Sequence, residues 1–543
     1  MPSSAPMSTV LAVDLGTGGP KTALVSLSGT VIGAIHLRVE PRVGADGSAV
    51  QDPNSWWDAI VDGATELISE HPAEAAQMAA VAVTGQWGST VPVDAGGEAV
   101  GDCMLWMDTR GAEHARRVLG GRITVEGFAP RAIATWIRRT GGAPSLQGND
   151  PLGHRLWIRH ERPDLYRAAD TFIEPIDFIN ARLTGTVAAT QVSMLLSWLC
   201  DNRRLDPGGY DPVLLGLAGV DPAKLPPLQP TSSIVGTVLP TVARRLGLPP
   251  DVPVVTALPD LHTAALGSGA LGLYEPHLSI STSAWIGCHT PDKRTSVTRQ
   301  MATVPSALAG RYLLANNHET AGVCLEWARN LLVLADDGLT EPIATSFSEL
   351  DAVAATAPSG SGGVLFAPWL NGERSPVSDA DLRGSFHNLS LSSTRADLIR
   401  SVLEGVAHNA RWLLEASESV LHHPLPGMRA IGGGADSDLW CQIHADVLGR
   451  PLRRVSRPLL VNVRGAAFFA GLVLGRVTEA DVVARAEVDR TFHPDPAARR
   501  VHEAHHREFV QLHRLEKGLY HRLNGANRRI TGTTGITGTT GAS

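Results

Sequence analysis

Apolar and polar positions alternate at two widely separated places along the chain, and each time a small polar turn breaks the alternation. In VLAVDLGTGGPKTALVSLSGTVIGAI, within residues 9–36, an apolar run ends at Asp14. A glycine-rich turn follows, and Ala23, Val25 and Leu27 then alternate with polar neighbours. The period of two predicts strand, turn and strand, with a second turn at Ser28-Gly29. AVAVTGQWGSTVPVD at 80–94 reads as another strand, turn and strand, and SWWDAIVDGATELI between them has helical spacing. A similar order returns later. LSISTSAWIGCHT (278–290) reads as strand, polar turn, strand, and RYLLANN (311–317) as a further strand. RADLIRSVLEGVAHNARWLLEAS (395–417) reads as a long helix, and MRAIGGGADS (428–437) as a strand and glycine turn. The pattern predicts an α/β protein of two halves, 9–255 and 256–520, each opening with a polar hairpin. Residues 1–8 and 521–543 are predicted to be disordered ends, the second because NRRITGTTGITGTTGAS has too little apolar surface to offset ordering entropy.

Length and composition narrow the class. The 543 residues, 43% hydrophobic and 19% charged, suit a soluble globular chain with a sizeable core. A net charge of -7 gives no basic footprint for nucleic acid. No apolar run is long enough for a membrane span, and the N-terminus does not read as a secretory signal. Five scattered cysteines without a CxxC pair suit a reducing cytoplasm.

Four segments carry candidate chemistry. In Asp14-Leu-Gly-Thr-Gly-Gly-Pro-Lys21, Gly16, Gly18 and Gly19 allow close backbone approach, Thr17 adds a hydroxyl, and successive N–H groups can cradle phosphate oxygens. Asp14 at a strand end can hold magnesium through water. A P-loop is excluded, because Pro20 separates Gly19 from Lys21 and a strand follows. A plain glycine hairpin is the competing interpretation. Ser281, Thr282 and Ser283 form a second hydroxyl-rich turn, of a kind Ser and Thr favour anyway. Gly432-Gly433-Gly434-Ala-Asp-Ser437 joins a strand to a helix and departs from GxGxxG, so it is either a surface for a flat nucleotide or a tight turn. Asp260 opens a small-residue helix, where an N-cap is the simplest role. His502, His505 and His506 have helical spacing in a charge-rich stretch and read as a solvated face, and His422-His423 as a loop.

The order of these segments resembles that of the FGGY family of carbohydrate kinases, and is most like its xylulokinase branch. The matching segments are DLGTGGPK at 14, QDPNSWW at 51, TGQWGSTVPVDAGGE at 84, WMDTRG at 106, LWIRHERPDLY at 156, FINARLTG at 178 and PDLHTAALGSG at 259. STSAW at 281, PWLNGERSPVSDADLRGSF at 368, DLIRSVLEGVAHNAR at 397 and GGGADSDLWCQIHADVLGRP at 432 complete the set. The resemblance implies a two-lobed actin-like ATPase fold, with an RNase H-like sheet in each lobe and a central cleft. It implies ATP and Mg2+ as cofactors and a small carbohydrate as partner: a ketose such as xylulose or another pentulose, or a polyol. It leaves a homodimer open. It places Asp14, Gly16, Thr17, Gly18, Gly19 and Lys21 in one phosphate hairpin, and Thr282 and Ser283 in the other. Gly432, Gly433, Gly434 and Ser437 fall in an adenosine motif, Asp260 at the catalytic base, and Gln86, Trp87 and Trp106 beside the sugar. The departures cluster around the sugar. Gly88 stands where xylulokinases carry His, two places after Gln86, and Leu261 where they carry Asn. Elsewhere Pro20, Ser281, Asn388 and His154 differ from the usual residues. A non-catalytic nucleotide or sugar sensor and an actin-like nucleotide hydrolase are the alternatives.

Overall fold

The computed structural model describes residues 8–125, 127–205, 208–333 and 345–531, the last six of them as backbone only. Two mixed sheets dominate. In the first, the order is Ile234–Thr237, Pro253–Val255, Met78–Gly85, Thr9–Gly16, Gly19–Ser26, Val31–His36, with Leu258–Pro259 also paired to Met78–Gly85. In the second, it is Thr295–Ser296, Met301–Pro305, Tyr312–Ala315, Ala284–Thr290, Pro276–Ile280, Met428–Ile431, Leu452–Val455, Val488–Phe492. Each sheet carries an antiparallel hairpin whose first strand takes a parallel neighbour on its other edge: Met78–Gly85 beside Thr9–Gly16, and Met428–Ile431 beside Pro276–Ile280. The two lobes therefore repeat one plan.

The first sheet is covered on both faces, which is why its central strands read as nearly continuous apolar runs. Leu11, Val13 and Leu24 pack on Trp56, Ile60 and Leu67 of the helix Pro53–Glu70, which Asp52 caps through the Asn54 N–H. Val10, Ala12, Ala23 and Val25 pack on Ala466, Phe468 and Phe469 of the helix Val461–Val473, from the far end of the chain. That helix also crosses the helix Asp260–Ser268 at very close range. A Cβ on Gly267 would lie 1.9 Å from the Val461 carbonyl oxygen, and one on Gly465 would lie 1.9 Å from that of Thr263.

Several expectations need correction. Because Leu258–Pro259 pairs with the first sheet, the first lobe runs past residue 255 to the start of the helix at Asp260. The strand, turn and strand read at 80–94 are present as Met78–Gly85 and Val91–Val93, the second pairing with Thr171–Ile173. The last helix, Pro496–Thr531, takes in residues 521–531 of the expected tail. Tyr520 donates to Ser385 Oγ (3.1 Å), His521 Nε2 lies 3.0 Å from Asp379, and Asn524 Nδ2 donates to the Asp381 carbonyl (2.8 Å), so this stretch is docked. The tail beyond 531 and residues 1–7 lie outside the described residues. His502 and His506 are buried against His408 of the helix Arg395–Leu421, with ring centroids 5.5 and 5.7 Å apart. The expected solvated face is a helix–helix contact, and burial holds His408 well below the ordinary histidine range. No described helix is long and apolar enough to cross a membrane.

Candidate active site

The segments singled out in the sequence converge at strand ends. Thr9–Gly16, Met78–Gly85 and Leu258–Pro259 run parallel, so Asp14, near the end of its strand, and Gln86 and Asp260, just beyond theirs, lie at one end of the first sheet. In α/β sheets, ligands bind outside the carboxyl ends of parallel strands. The second sheet repeats this: Ser281 follows Pro276–Ile280, and Gly432 follows its parallel neighbour Met428–Ile431.

Asp260 is the first residue of its helix, and Pro259 occupies the N-cap position. Among the described residues its carboxylate accepts only the adjacent Leu261 N–H, at 2.7 Å, so the simple N-cap role does not hold. Burial pushes its pKa up to about 7, and the negative charge of Asp14 pushes in the same direction. Asp14 is itself raised, chiefly by burial, against the opposing Lys21 ammonium and a hydrogen bond from Asn462. Asn462 belongs to the close-crossing helix Val461–Val473, and a 2.7 Å hydroxyl contact joins Thr84 of the strand Met78–Gly85 to Thr263 of the helix Asp260–Ser268. Both carboxylates are therefore held by one rigid seam.

In the first hairpin the chain turns at Thr17-Gly18, between paired Gly16 and Gly19. Pro20 lies on the return strand, opposite Leu15, so the turn itself keeps its N–H groups. Gly19, at φ 120°, leaves no room for a Cβ, which would meet the Leu37 carbonyl oxygen at 2.1 Å. Lys21, opposite Asp14, donates to the Leu459 carbonyl of the second lobe at 3.2 Å. The neighbouring Pro458 carbonyl accepts from the Gly432 N–H at 3.1 Å, so one turn touches both jaws. In the second hairpin Thr282 is exposed and Ser283 half-buried. A Cβ on Gly432 (φ 87°) would meet Ser281 Oγ at 2.5 Å, and one on Gly434 would meet Ile280 Cγ2 at 2.4 Å. The glycine run is thus packed directly on that hairpin, with Gly433 looser, its nearest neighbour Leu459 at 3.3 Å. Ser437 stands apart. Its hydroxyl caps the helix Asp438–Leu448 by accepting the Trp440 N–H (2.9 Å) and bonds Asp351.

The turn after Gly85 carries Gln86 and Trp87. The Trp87 indole N–H donates to the Ser193 carbonyl at 2.8 Å, and its ring meets His262 edge-on with centroids 6.2 Å apart. Trp106 donates its indole N–H to Thr17 Oγ1 at 3.2 Å, joining this turn to the phosphate hairpin. Gln86 is buried, and its Nε2 has no partner among the described residues. Sequence reasoning missed Glu174. One of its carboxylate oxygens accepts both the Gly88 and Ser89 N–H groups at 3.1 Å, and Ser89 Oγ in turn accepts the Trp106 N–H at 3.0 Å. Burial and nearby Asp177 push Glu174 well above the usual carboxylate range. It also missed Asn462, whose only signal is an amide within the apolar run VNVRGAAFFAGLV.

Comparison with known proteins gives the same picture. The N-terminal domain of the FGGY family of carbohydrate kinases matches residues 9–267, and its C-terminal domain residues 278–473. A xylulose kinase of Staphylococcus epidermidis is 28% identical over 94% of this chain and 97% of its own. A glycerol kinase of Gloeobacter violaceus is 30% identical over 89% and 92%. The crystal structure of a xylulose kinase from Rhodospirillum rubrum superposes with a TM-score of 0.79 at 27% identity, over 94% of this chain and all of that one. The architecture is the two-lobed actin-like ATPase fold with its central cleft. The chain belongs to the FGGY family of carbohydrate kinases.

Proposed function

We propose that Asp260 is the base of an ATP-dependent phosphorylation whose acceptor is a ketose or polyol other than D-xylulose. The acceptor oxygen attacks the γ-phosphorus of ATP, the bond from that phosphorus to the β,γ-bridging oxygen breaks, and the acceptor proton passes to Asp260. Such transfer depends mainly on positioning and charge neutralisation. The observation that carries this proposal is that Asp14 and Asp260 lie at one end of the first sheet and that the Pro458–Leu459 turn ties the first hairpin, through Lys21, to Gly432 beside the second. The backbone around Gly16–Gly19 and the Thr282–Ser283 turn would take the phosphates, and the Gly432–Gly434 run the adenosine. Asp14 and Asp260, carried by strands that both pair with Met78–Gly85, offer the oxygen ligands a divalent cation takes, and Asp14 would hold magnesium through water.

The acceptor preference follows from what surrounds Gln86. Its unpaired amide N–H2 offers a donor to a substrate oxygen, while Trp87, Trp106 and Leu261 offer apolar faces. With Gly88 and Leu261 standing where hydroxyl-binding side chains would be, discrimination for xylulose is lost, because a site built to bond a hydroxyl owes its selectivity to those bonds. ADP release measured over a panel of pentuloses, hexuloses and polyols tests this. One acceptor should exceed D-xylulose in kcat/KM, and xylulose as the best acceptor would overturn the preference. Release independent of any acceptor would point to a hydrolase.

A pH profile tests the Asp14–Asp260 coupling. The base works ionised, so kcat/KM should fall as pH drops through about 7, the value burial and Asp14 set for Asp260. Asp14→Asn removes a charge that raises this pKa, so the acid limb should move to lower pH, even as the overall rate falls. A limb that does not move would separate the two groups.

A further inference from the structure

Two buried carboxyl groups of the first lobe have no part in the chemistry proposed for Asp260. Glu174 and Asp177 are only 1% and 2% exposed. Glu174 stands at the N-cap position of the helix Pro175–Thr184, and Asp177 lies in its first turn. An N-cap side chain ordinarily accepts an N–H of its own helix, but Glu174 makes no such bond. The strand before it explains why. Thr171–Ile173 runs antiparallel to Val91–Val93 with Ile173 opposite Val91, so Glu174, one residue further, comes alongside the turn that precedes Val91.

Each carboxyl holds a different part of that turn. Glu174 gathers the Gly88 and Ser89 N–H groups on one oxygen. Ser89 Oγ passes the hold on in two directions: it accepts the Trp106 N–H at 3.0 Å and donates to Gln86 Oε1 at 3.4 Å. Asp177 accepts a hydrogen bond from the Ser193 side chain, and the Ser193 carbonyl receives the Trp87 indole N–H at 2.8 Å. Gln86, Trp87 and Trp106 therefore trace back to the start of one helix. The second oxygen of each carboxyl, Glu174 Oε1 and Asp177 Oδ2, has no partner among the described residues. Burial pushes Asp177 up to about 8 and Glu174 well above the usual carboxylate range. Both are then largely protonated at neutral pH, and an amide is a close mimic of each.

We infer, on the footing that Gln86, Trp87 and Trp106 contact the acceptor, that Glu174 and Asp177 are positioning residues that hold those three side chains in the geometry that binds it. D-Xylulose is the probe acceptor. Glu174→Leu and Asp177→Leu should each raise its KM about tenfold or more, the scale of one or two lost hydrogen bonds, with the KM for ATP unchanged. Ser89→Ala cuts the relay without touching the carboxyl pair and should raise the same KM alone. Glu174→Gln and Asp177→Asn keep an accepting oxygen and should restore it. A merely structural role would lower the folded fraction, and with it kcat, and leave both KM values alone. The indole N–H resonances of isotope-labelled tryptophan give a reading that needs no acceptor. The Trp106 signal, assigned by its loss in Trp106→Phe, should move most in Glu174→Leu, and the Trp87 signal most in Asp177→Leu. Unmoved indoles in both leucine variants, or amide variants as impaired as the leucine ones, would overturn the inference. Displaced indoles with an unchanged D-xylulose KM would instead overturn the placement of the acceptor on which it rests.

Discussion

Asp260→Asn is expected to lower kcat by about 10²–10⁴, the span typical of a positioned acid–base group. The change is nearly isosteric and keeps an oxygen for the Leu261 N–H, the only hydrogen bond the carboxylate accepts among the described residues. What it removes is the proton acceptor. A carboxylate pushed to about 7 binds a proton more strongly than a free aspartate near 3.9, so it is better matched to receive one late in phosphoryl transfer. The fold should not suffer, because Pro259 and not Asp260 stands at the N-cap. Replacing a buried carboxylate that burial already penalises should leave the melting temperature unchanged or higher. Steady-state ADP release, a thermal melt and an ADP titration on the same preparation settle the matter. Lost turnover with an intact melt and ADP binding supports the base. Near-normal turnover in a folded variant would remove Asp260 from the chemistry.

The largest stability effect should come from the helix crossing behind that residue. Gly465→Ala puts a methyl group 1.9 Å from the Thr263 carbonyl oxygen, and Gly267→Ala does the same at Val461. Both obstacles are backbone, which cannot rotate away as a side chain can. Overpacking a core typically costs about 1–3 kcal/mol, and separating two helices belongs at or above the top of that range. The melting temperature should fall by about 5 °C or more. Turnover should fall with it, since one helix begins at Asp260 and the other carries Asn462, the partner of Asp14. Gly216→Ala serves as the control: it lies in the helix Pro212–Ala218 with no atom within 4 Å of the added carbon, and alanine favours helix. Equal melting of Gly465→Ala and Gly216→Ala would show that the crossing relaxes freely.

The hairpins were legible because strand alternation and glycine turns are local signals. Thr9–Gly16 with Gly19–Ser26, and Pro276–Ile280 with Ala284–Thr290, stand where the alternation put them. What stayed hidden depends on partners far away in sequence. His502 and His506 look like solvated residues until the helix holding His408 is laid against them. Ser437 sits inside a recognisable glycine motif, yet its hydroxyl answers to Trp440 and Asp351. Glu174 acts through the N–H groups of Gly88 and Ser89, and nothing in EPIDFINARLTG announces a partner 85 residues earlier. Composition misled at the C-terminus, where a Gly/Thr-rich end masked a helix that continues to Thr531.

The helix Val461–Val473 sets a timetable for synthesis. The strands bearing Val10, Ala12, Ala23 and Val25 leave the ribosome first, but the residues that cover them, Phe468 and Phe469 among them, emerge near the end. Translation at about 5–20 residues per second leaves that apolar face open for roughly 10–40 s after Pro259 has been made. A nascent chain in that interval needs a chaperone or a transient partner. For the same reason, a gene divided at the lobe boundary would yield a first half that aggregates on its own and is rescued when the second half is made beside it.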